Sequence, residues 1–210
     1  VKGVNVARDI KPKCFVDIAK VEAGDKCPVC GKPLHLENGI EIGNIFQLGT
    51  KYTKSMGMTV LNEKGEAVNP IMGCYGIGVG RAIAAIAQES NDKAGLILPI
   101  TVAPYKVHIC PLRIDDQNVR EKAFALYDAL MKKKGVNVLL DDRENVSNGV
   151  KFADADLMGM PIRVVVSPRG LQNDEIEVTD RATLSAEKVK YEDALSYIDA
   201  MMARKYEELK

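Results

Sequence analysis

Gly73-Cys-Tyr-Gly-Ile-Gly-Val-Gly-Arg81 is the stretch on which the reading of this sequence turns. Glycines at every second position along a strand leave one face without side chains, so something flat can lie against the backbone. An arginine at the start of the following helix can then reach a nucleotide, stacking its planar guanidinium on a base or meeting phosphate oxygens. On spacing alone, a glycine-rich crossover packed tightly on its neighbours reads equally well. The dinucleotide fingerprint Gly-x-Gly-x-x-Gly does not fit, because Arg81 stands where the third glycine after Gly76 and Gly78 is required.

Outward from this stretch, Pro70–Tyr75 reads as the strand leading in, and Arg81–Glu89 as the helix leading out. Ile83, Ile86 and Ala87 then share one helical face. Upstream, Ile40, Ile42, Ile45-Phe46 and Met58–Leu61 alternate as strands, with a hairpin turn over Asn62–Glu66 at Gly65. Residues 1–39 read as irregular, with short apolar pieces such as Cys14–Ile18 and a turn over Cys27–Pro33. Downstream, Leu98-Pro99 and Ala103-Pro104 interrupt any regular element and mark a domain boundary.

Beyond that boundary the pattern changes to strand–helix alternation. Lys106–Cys110, Val136–Leu140 and Ile162–Val166 are expected strands, and Glu175–Val178 and Val189–Tyr191 expected edge strands. Helices are expected over Asn118–Lys134, Val150–Met158 and 192–209. The first of these turns Val119, Ala123, Leu126, Tyr127 and Leu130 inward and ends at Gly135. The fold class is therefore α/β and α+β: an antiparallel portion over 40–98, then a compact α/β domain with a mixed sheet over 99–210.

A hydrophobic content of 46% with 28% charged residues describes a globular chain rather than a disordered tail. No apolar run approaches the roughly 20 residues that span a bilayer, and no signal peptide opens the chain, so a cytoplasmic location without membrane is expected. The first residue is Val1 rather than methionine, which points to a fragment, a processed product or a trimmed chain. Basic and acidic residues balance at 29 each, so RNA contact must come from a local patch. The five cysteines are an odd number, which favours a reduced chain over a disulfide scaffold. Cys27-Pro-Val-Cys-Gly31 has the shape of a zinc knuckle, but a structural site needs four ligands and only Cys14 and His35 stand nearby. No metal site is assigned from so weak a signal.

Gly73–Arg81 resembles the third signature motif of class II aminoacyl-tRNA synthetases, in the form typical of bacterial prolyl enzymes. Gly39-Ile-Glu-Ile-Gly-Asn-Ile-Phe-Gln-Leu-Gly-Thr-Lys-Tyr52 is similar to the strand and loop such enzymes place beside the same ATP. The resemblance extends over essentially the whole chain. It implies that Arg81 is the catalytic residue and clasps ATP, that Gln47 and Thr50 bind the adenosine, and that Phe46, Tyr52 and Cys74 shape the proline pocket. Asn44 stands where the family usually has histidine, and Gly80 where serine or threonine is common.

Leu140-Asp-Asp-Arg143 and the run Gly149–Pro161 resemble the prolyl form of the anticodon-binding domain. That likeness implies that Asp156, Arg163 and Arg169 read anticodon bases. Arginine can donate two bonds to a guanine edge and a carboxylate can accept from guanine amino and imino groups. Asp156 is shorter than the glutamate more usual there.

The implied activity is ATP-dependent attachment of L-proline to tRNA(Pro) through prolyl-adenylate, with Mg²⁺ shared among the phosphates and a homodimeric parent enzyme. Residues 1–39 look like the exit of an editing insertion. Counterparts of the first two class II motifs are absent, so the chain alone is expected to be inactive. The alternative is a non-catalytic RNA-binding or regulatory module that kept a synthetase-derived fold.

Overall fold

The computed structural model describes residues 2–10, 12–14, 16 and 19–209. It divides into two compact units, Val1–Glu41 and Ile42–Lys210. In the first, α1 (Val6–Asp9) is a single turn started by Asn5, whose side chain accepts from the Arg8 N–H. Of the apolar piece Cys14–Ile18, Phe15, Asp17 and Ile18 lie outside the described residues. The Cys27 turn is a tight knuckle. Lys26 bridges Pro33, the Cys27 N–H donates to the Lys32 carbonyl, and Gly31 adopts φ 71°.

The second unit opens with an antiparallel ribbon of β1 (Gly43–Gly49) and the later β4 (Met72–Ile77). Between them lie α2 (Lys51–Ser55) and a small hairpin of β2 (Val60–Leu61) and β3 (Ala67–Val68). The hairpin turn is where the sequence places it: the Asn62 side chain accepts from Lys64 and Glu66 N–H, and Gly65 takes φ 75°. The helical turn α2 corrects the all-strand reading of 40–62. It is pinned by Thr53, whose buried hydroxyl donates to the carbonyls of Thr50 and Pro70.

Helix α3 (Val79–Glu89) follows β4 directly. The strand ends at Ile77, so Gly76 lies in β4, Gly78 caps α3 and Gly80 lies inside the helix. The glycines therefore do not clear one face of a continuous strand, contrary to the expectation from their spacing. The ribbon is open on both faces among the described residues: Ile45, Tyr75 and Ile77 on one are 79%, 83% and 74% exposed, and Phe46 on the other is 53% exposed. A two-stranded ribbon with no layer against it has little apolar burial to stabilise it.

The buried core lies further on, in a five-stranded sheet of order β6-β5-β7-β8-β9. Its strands are β5 (Val107–Pro111), β6 (Val138–Leu140), β7 (Ile162–Val166), β8 (Glu175–Asp180) and β9 (Ala186–Lys190). The first three run parallel, β8 is antiparallel to β7, and β9 is antiparallel to β8. Parallel neighbours need helical crossovers, which α4 (Gln117–Met131) and α5 (Asn148–Met158) provide. A short α6 (Pro168–Leu171) and a closing α7 (Ala194–Glu207) complete the domain.

Local chemistry explains the helix starts. Asp116 accepts from the N–H groups of Asn118 and Val119, and Ser147 from Val150, each satisfying donors that the first turn leaves open. Val107, Ile109, Ile162, Val164 and Val178 meet Val119, Ala123, Leu126 and Leu130 of α4 and Ile198 of α7 in one core. Of the strands expected at an edge, β8 is interior, paired with β7 and β9, and only β9 lies at the border. β9 begins at Ala186, ahead of the strand expected over Val189–Tyr191, because Ala186-Glu-Lys188 has no apolar alternation to reveal it. Among the described residues no helix is long and apolar enough to cross a membrane.

Candidate functional site

The first cluster is built on the ribbon. Phe46 stands directly opposite Cys74, and Gln47 opposite Gly73. Directly opposed residues share a face and successive residues alternate, so the structure joins Phe46 to Cys74 and sets Gln47 on the other face. An irregularity between Gln47 and Gly49 then breaks the register, and Gly49 at φ 57° turns the chain into α2. Thr50 is the residue before that helix and Tyr52 lies in its first turn, with the Lys51 ammonium 5.3 Å from the Tyr52 ring centre.

Arg81 is the third residue of α3. Gly78 lies under it: the Gly78 N–H donates to the Ile42 carbonyl at 2.8 Å, and a Cβ there would sit 3.4 Å from Arg81 Cβ. Gly43 is closer still, since a Cβ would come within 3.0 Å of the Gly76 carbonyl oxygen. These glycines let β1, β4 and the α3 start approach one another, which is the crossover role that spacing alone had left open.

The second cluster lies on the sheet face away from α4, under α5. His108, Arg163 and Thr179 stand in one row across β5, β7 and β8. His108 Nδ1, Arg163 Nε and Thr179 Oγ1 are buried without hydrogen-bond partners, and the space between them is too small for a water molecule. Burial pushes the His108 pKa down to about 4, so the imidazole is neutral near pH 7. Arg163 donates from Nη1 to Asp156 Oδ1 at 2.6 Å, and its guanidinium lies 5.1 Å from the Phe152 ring centre.

The structure thus brings Asp156 and Arg163 together and places Arg169 elsewhere. Arg163 is the second residue of β7, whereas Arg169 lies beyond the far end of that strand, exposed at the start of α6. Arg169 borders a groove of about 410 Å³ whose wall includes Phe152, Ser167, Glu177 and Lys188. Phe152 touches both places. Phe152 lies in the run Gly149–Pro161, where an aromatic one helical turn before Asp156 was the signal available for it.

A third group gives the Leu140–Arg143 motif its role. Arg143 clamps Asp141 through Nε and Nη2 at 2.8 Å each and reaches Asp154 through Nη1 at 2.8 Å. These bonds hold the Asp141 carboxyl below its usual range and Arg143 above its own. Lys151, fully buried, donates to the carbonyls of Pro111 and Asp141. The group ties the ends of β5 and β6 to α5 and is structural.

Among the described residues no group of three or more His, Cys, Asp and Glu side chains gathers to hold a metal. At the knuckle, the backbone N–H groups of Cys30 and Val29 face the Cys27 thiol and lower its pKa.

Residues 13–91 match the family model described as the tRNA synthetase class II core domain (G, H, P, S and T), and residues 106–201 that of the anticodon binding domain. A proline–tRNA ligase of Desulfitobacterium hafniense is 45% identical over 93% of this chain and 34% of its own length. One from Thermoanaerobacter sp. is 42% identical over 98% of this chain and 35% of its own. Among solved structures, a Cryptosporidium parvum prolyl-tRNA synthetase complexed with L-proline and AMP aligns with TM-score 0.70 and 25% identity, over 80% of this chain and 35% of that one. The chain spans about a third of the length of the curated relatives it matches. With both of its parts matched, and in the same order, the chain belongs to the class II aminoacyl-tRNA synthetases of the prolyl type.

Proposed function

We propose that this chain serves as the carboxy-terminal third of a proline–tRNA ligase. In this reading residues 1–39 lead out of an editing insertion, 40–98 complete the class II core, and 99–210 read the anticodon. The observation that carries it is the ribbon itself: Phe46 against Cys74 on one face, running through Gly78 into the helix that bears Arg81. The proline carboxylate attacks the α-phosphate of ATP, forming prolyl-adenylate and releasing pyrophosphate. A terminal ribose hydroxyl of tRNA(Pro) then takes the prolyl group and AMP leaves.

Phe46, Cys74 and Tyr52 bound the pyrrolidine ring, Gln47 and Thr50 hold the adenosine, and Arg81 offsets phosphate charge. No side chain acts as a covalent nucleophile; rate comes from positioning and charge. Mg²⁺, when bound, would be held by the ATP phosphates and would supply Lewis-acid charge neutralisation there. The working enzyme is a cytoplasmic homodimer.

The ribbon's exposed faces mean that this chain alone should not catalyse proline-dependent pyrophosphate exchange. In the full-length synthetase, Arg81→Ala should reduce that exchange by about a hundredfold or more, since a lost donor to developing charge costs about 2.7–4 kcal/mol. Near-normal exchange in that variant would leave Gly73–Arg81 a packing motif only.

A further inference from the structure

Arg181 has no role in the sequence motifs, yet it is a buried guanidinium bonded on several sides. It directly follows β8, and its side chain is 3% exposed. Nη1 and Nη2 donate to the two carboxylate oxygens of Asp92 at 2.7 and 2.8 Å. This is the paired geometry that a planar guanidinium forms with a carboxylate. Nε and Nη2 also point at the backbone carbonyl of Asp156, at 3.4 and 3.3 Å, and Nε lies 3.9 Å from Asp156 Oδ1.

Asp92 is itself fixed. It follows α3, and its Oδ1 accepts the N–H groups of Ala94 and Gly95. The loop it starts seals the end of α5: Leu96 N–H donates to the Leu157 carbonyl and Leu98 N–H to that of Gly159. A helix leaves its last carbonyls without internal partners, and here the loop and Arg181 together satisfy them. Arg181 also stands where the negative end of the helix dipole favours a cation.

Charges therefore alternate along a chain Asp92–Arg181–Asp156–Arg163. The Asp156 carboxylate meets both guanidinium groups through Oδ1: Arg163 at 2.6 Å and Arg181 at 3.9 Å. A base that donates to Asp156 competes with Arg163 for that carboxylate. Once Arg163 turns to the base, Arg181 remains beside Asp156, bonded to its carbonyl and 3.9 Å from Oδ1.

We propose that Arg181, clamped by Asp92, is a positioning residue for anticodon specificity that holds Asp156 in register while Arg163 exchanges its carboxylate partner for a guanine-type base edge. The inference rests on the reading that Asp156 and Arg163 meet bases, and the variants below separate the two.

In the full-length synthetase, Arg181→Gln, Arg181→Lys and Asp92→Asn are compared for aminoacylation of proline tRNA and of transcripts with one anticodon base changed. Pyrophosphate exchange without tRNA and thermal midpoints are recorded alongside. Arg181→Gln should lower discrimination between transcripts by about tenfold, within the range set by one well-placed bidentate contact, mainly through KM. Exchange should stay within about twofold, Arg181→Lys should recover part of the discrimination, and Asp92→Asn should shift it the same way by less. Placed in an Asp156→Asn background, Arg181→Gln should cost less than about twofold more, since the two act through one carboxylate.

Unchanged discrimination in a folded Arg181→Gln enzyme overturns the proposal, as does exchange falling in parallel with discrimination. If Arg181→Gln does not fold, Asp92→Asn decides by the same criterion. Lost discrimination in Arg181→Gln with none lost in Asp156→Asn also overturns it, because Arg181 then acts elsewhere. Discrimination that survives Asp156→Asn and Arg163→Ala as well removes the base-reading assignment itself.

Discussion

Gly159, which ends α5 in the left-handed conformation at φ 67°, lies so close to Leu96 that a Cβ on it would come within 2.1 Å of the Leu96 carbonyl oxygen. Backbone lies on backbone at this point, so no side chain can move aside. Gly159→Ala combines this clash with the roughly 1–2 kcal/mol cost of a left-handed alanine. Chemical denaturation should show a loss of more than about 2 kcal/mol. A loss below 1 kcal/mol would mean that the loop after α3 is not seated on α5 as described.

Lys151 and Asp141 form a buried pair, with Nζ 3.7 Å from Oδ1 and 3.1 Å from the Asp141 carbonyl. Removing one member leaves the other desolvated and uncompensated, at a cost of about 3 kcal/mol. Lys151→Met should approach this figure, moderated by Arg143, which stays on Asp141. Asp141 has its carboxyl pKa lowered by the Arg143 bonds. Its contribution is therefore present above the unfolded carboxylate pKa of about 3.9 and is lost as pH falls through the lower folded value. Asp141→Asn should flatten that acid limb in urea melts taken between about pH 5 and 2.

His108 gives a second pH signature of opposite origin. Its folded pKa is lowered to about 4 because burial disfavours the imidazolium. Between that value and the ordinary value of about 6.5 the unfolded chain takes a proton that the folded chain refuses, so stability rises with pH across the window and levels off above it. The loss from pH 7 to 4 is on the order of 3 kcal/mol from this residue alone. Thermal melts of His108→Gln should lack this slope between about pH 4.5 and 6.5 while keeping the acid limb of Asp141. The same slope in the variant would assign the titration to another group.

Arg169 and Arg163 should not behave alike. Arg169 is exposed beside the Phe152 groove, so Arg169→Ala removes a contact and disturbs little else. In the full-length synthetase it should cost about 1–3 kcal/mol of discrimination at a single anticodon base. Arg163→Ala also frees Asp156 from its 2.6 Å partner and should cost thermal stability in addition. Equal melting losses in the two variants would contradict their different settings.

Much of the fold was legible because it is local. The Asn62–Glu66 turn and the apolar spacing of α4 each lie within a few residues of what they determine. The strand β7 and helix α5 fell where apolar runs and Gly159 punctuate the sequence. The glycines of 76–80 left two readings open because periodicity alone does not say where a strand yields to a helix. The chain turns at Gly78, where its N–H finds the Ile42 carbonyl.

By itself the sequence determined the family motifs, the order of elements and which residue types stand ready to meet a nucleotide or a base. Only the tertiary structure decided their company. It set Phe46 against Cys74, parted Arg163 from Arg169 by the length of a strand, and joined Arg181 to Asp92 across 89 positions. The physical reason is range. Caps and turns are settled by backbone groups a few residues apart, whereas ion pairs depend on strand register and helix docking, which emerge only once the sheet and its helices have packed.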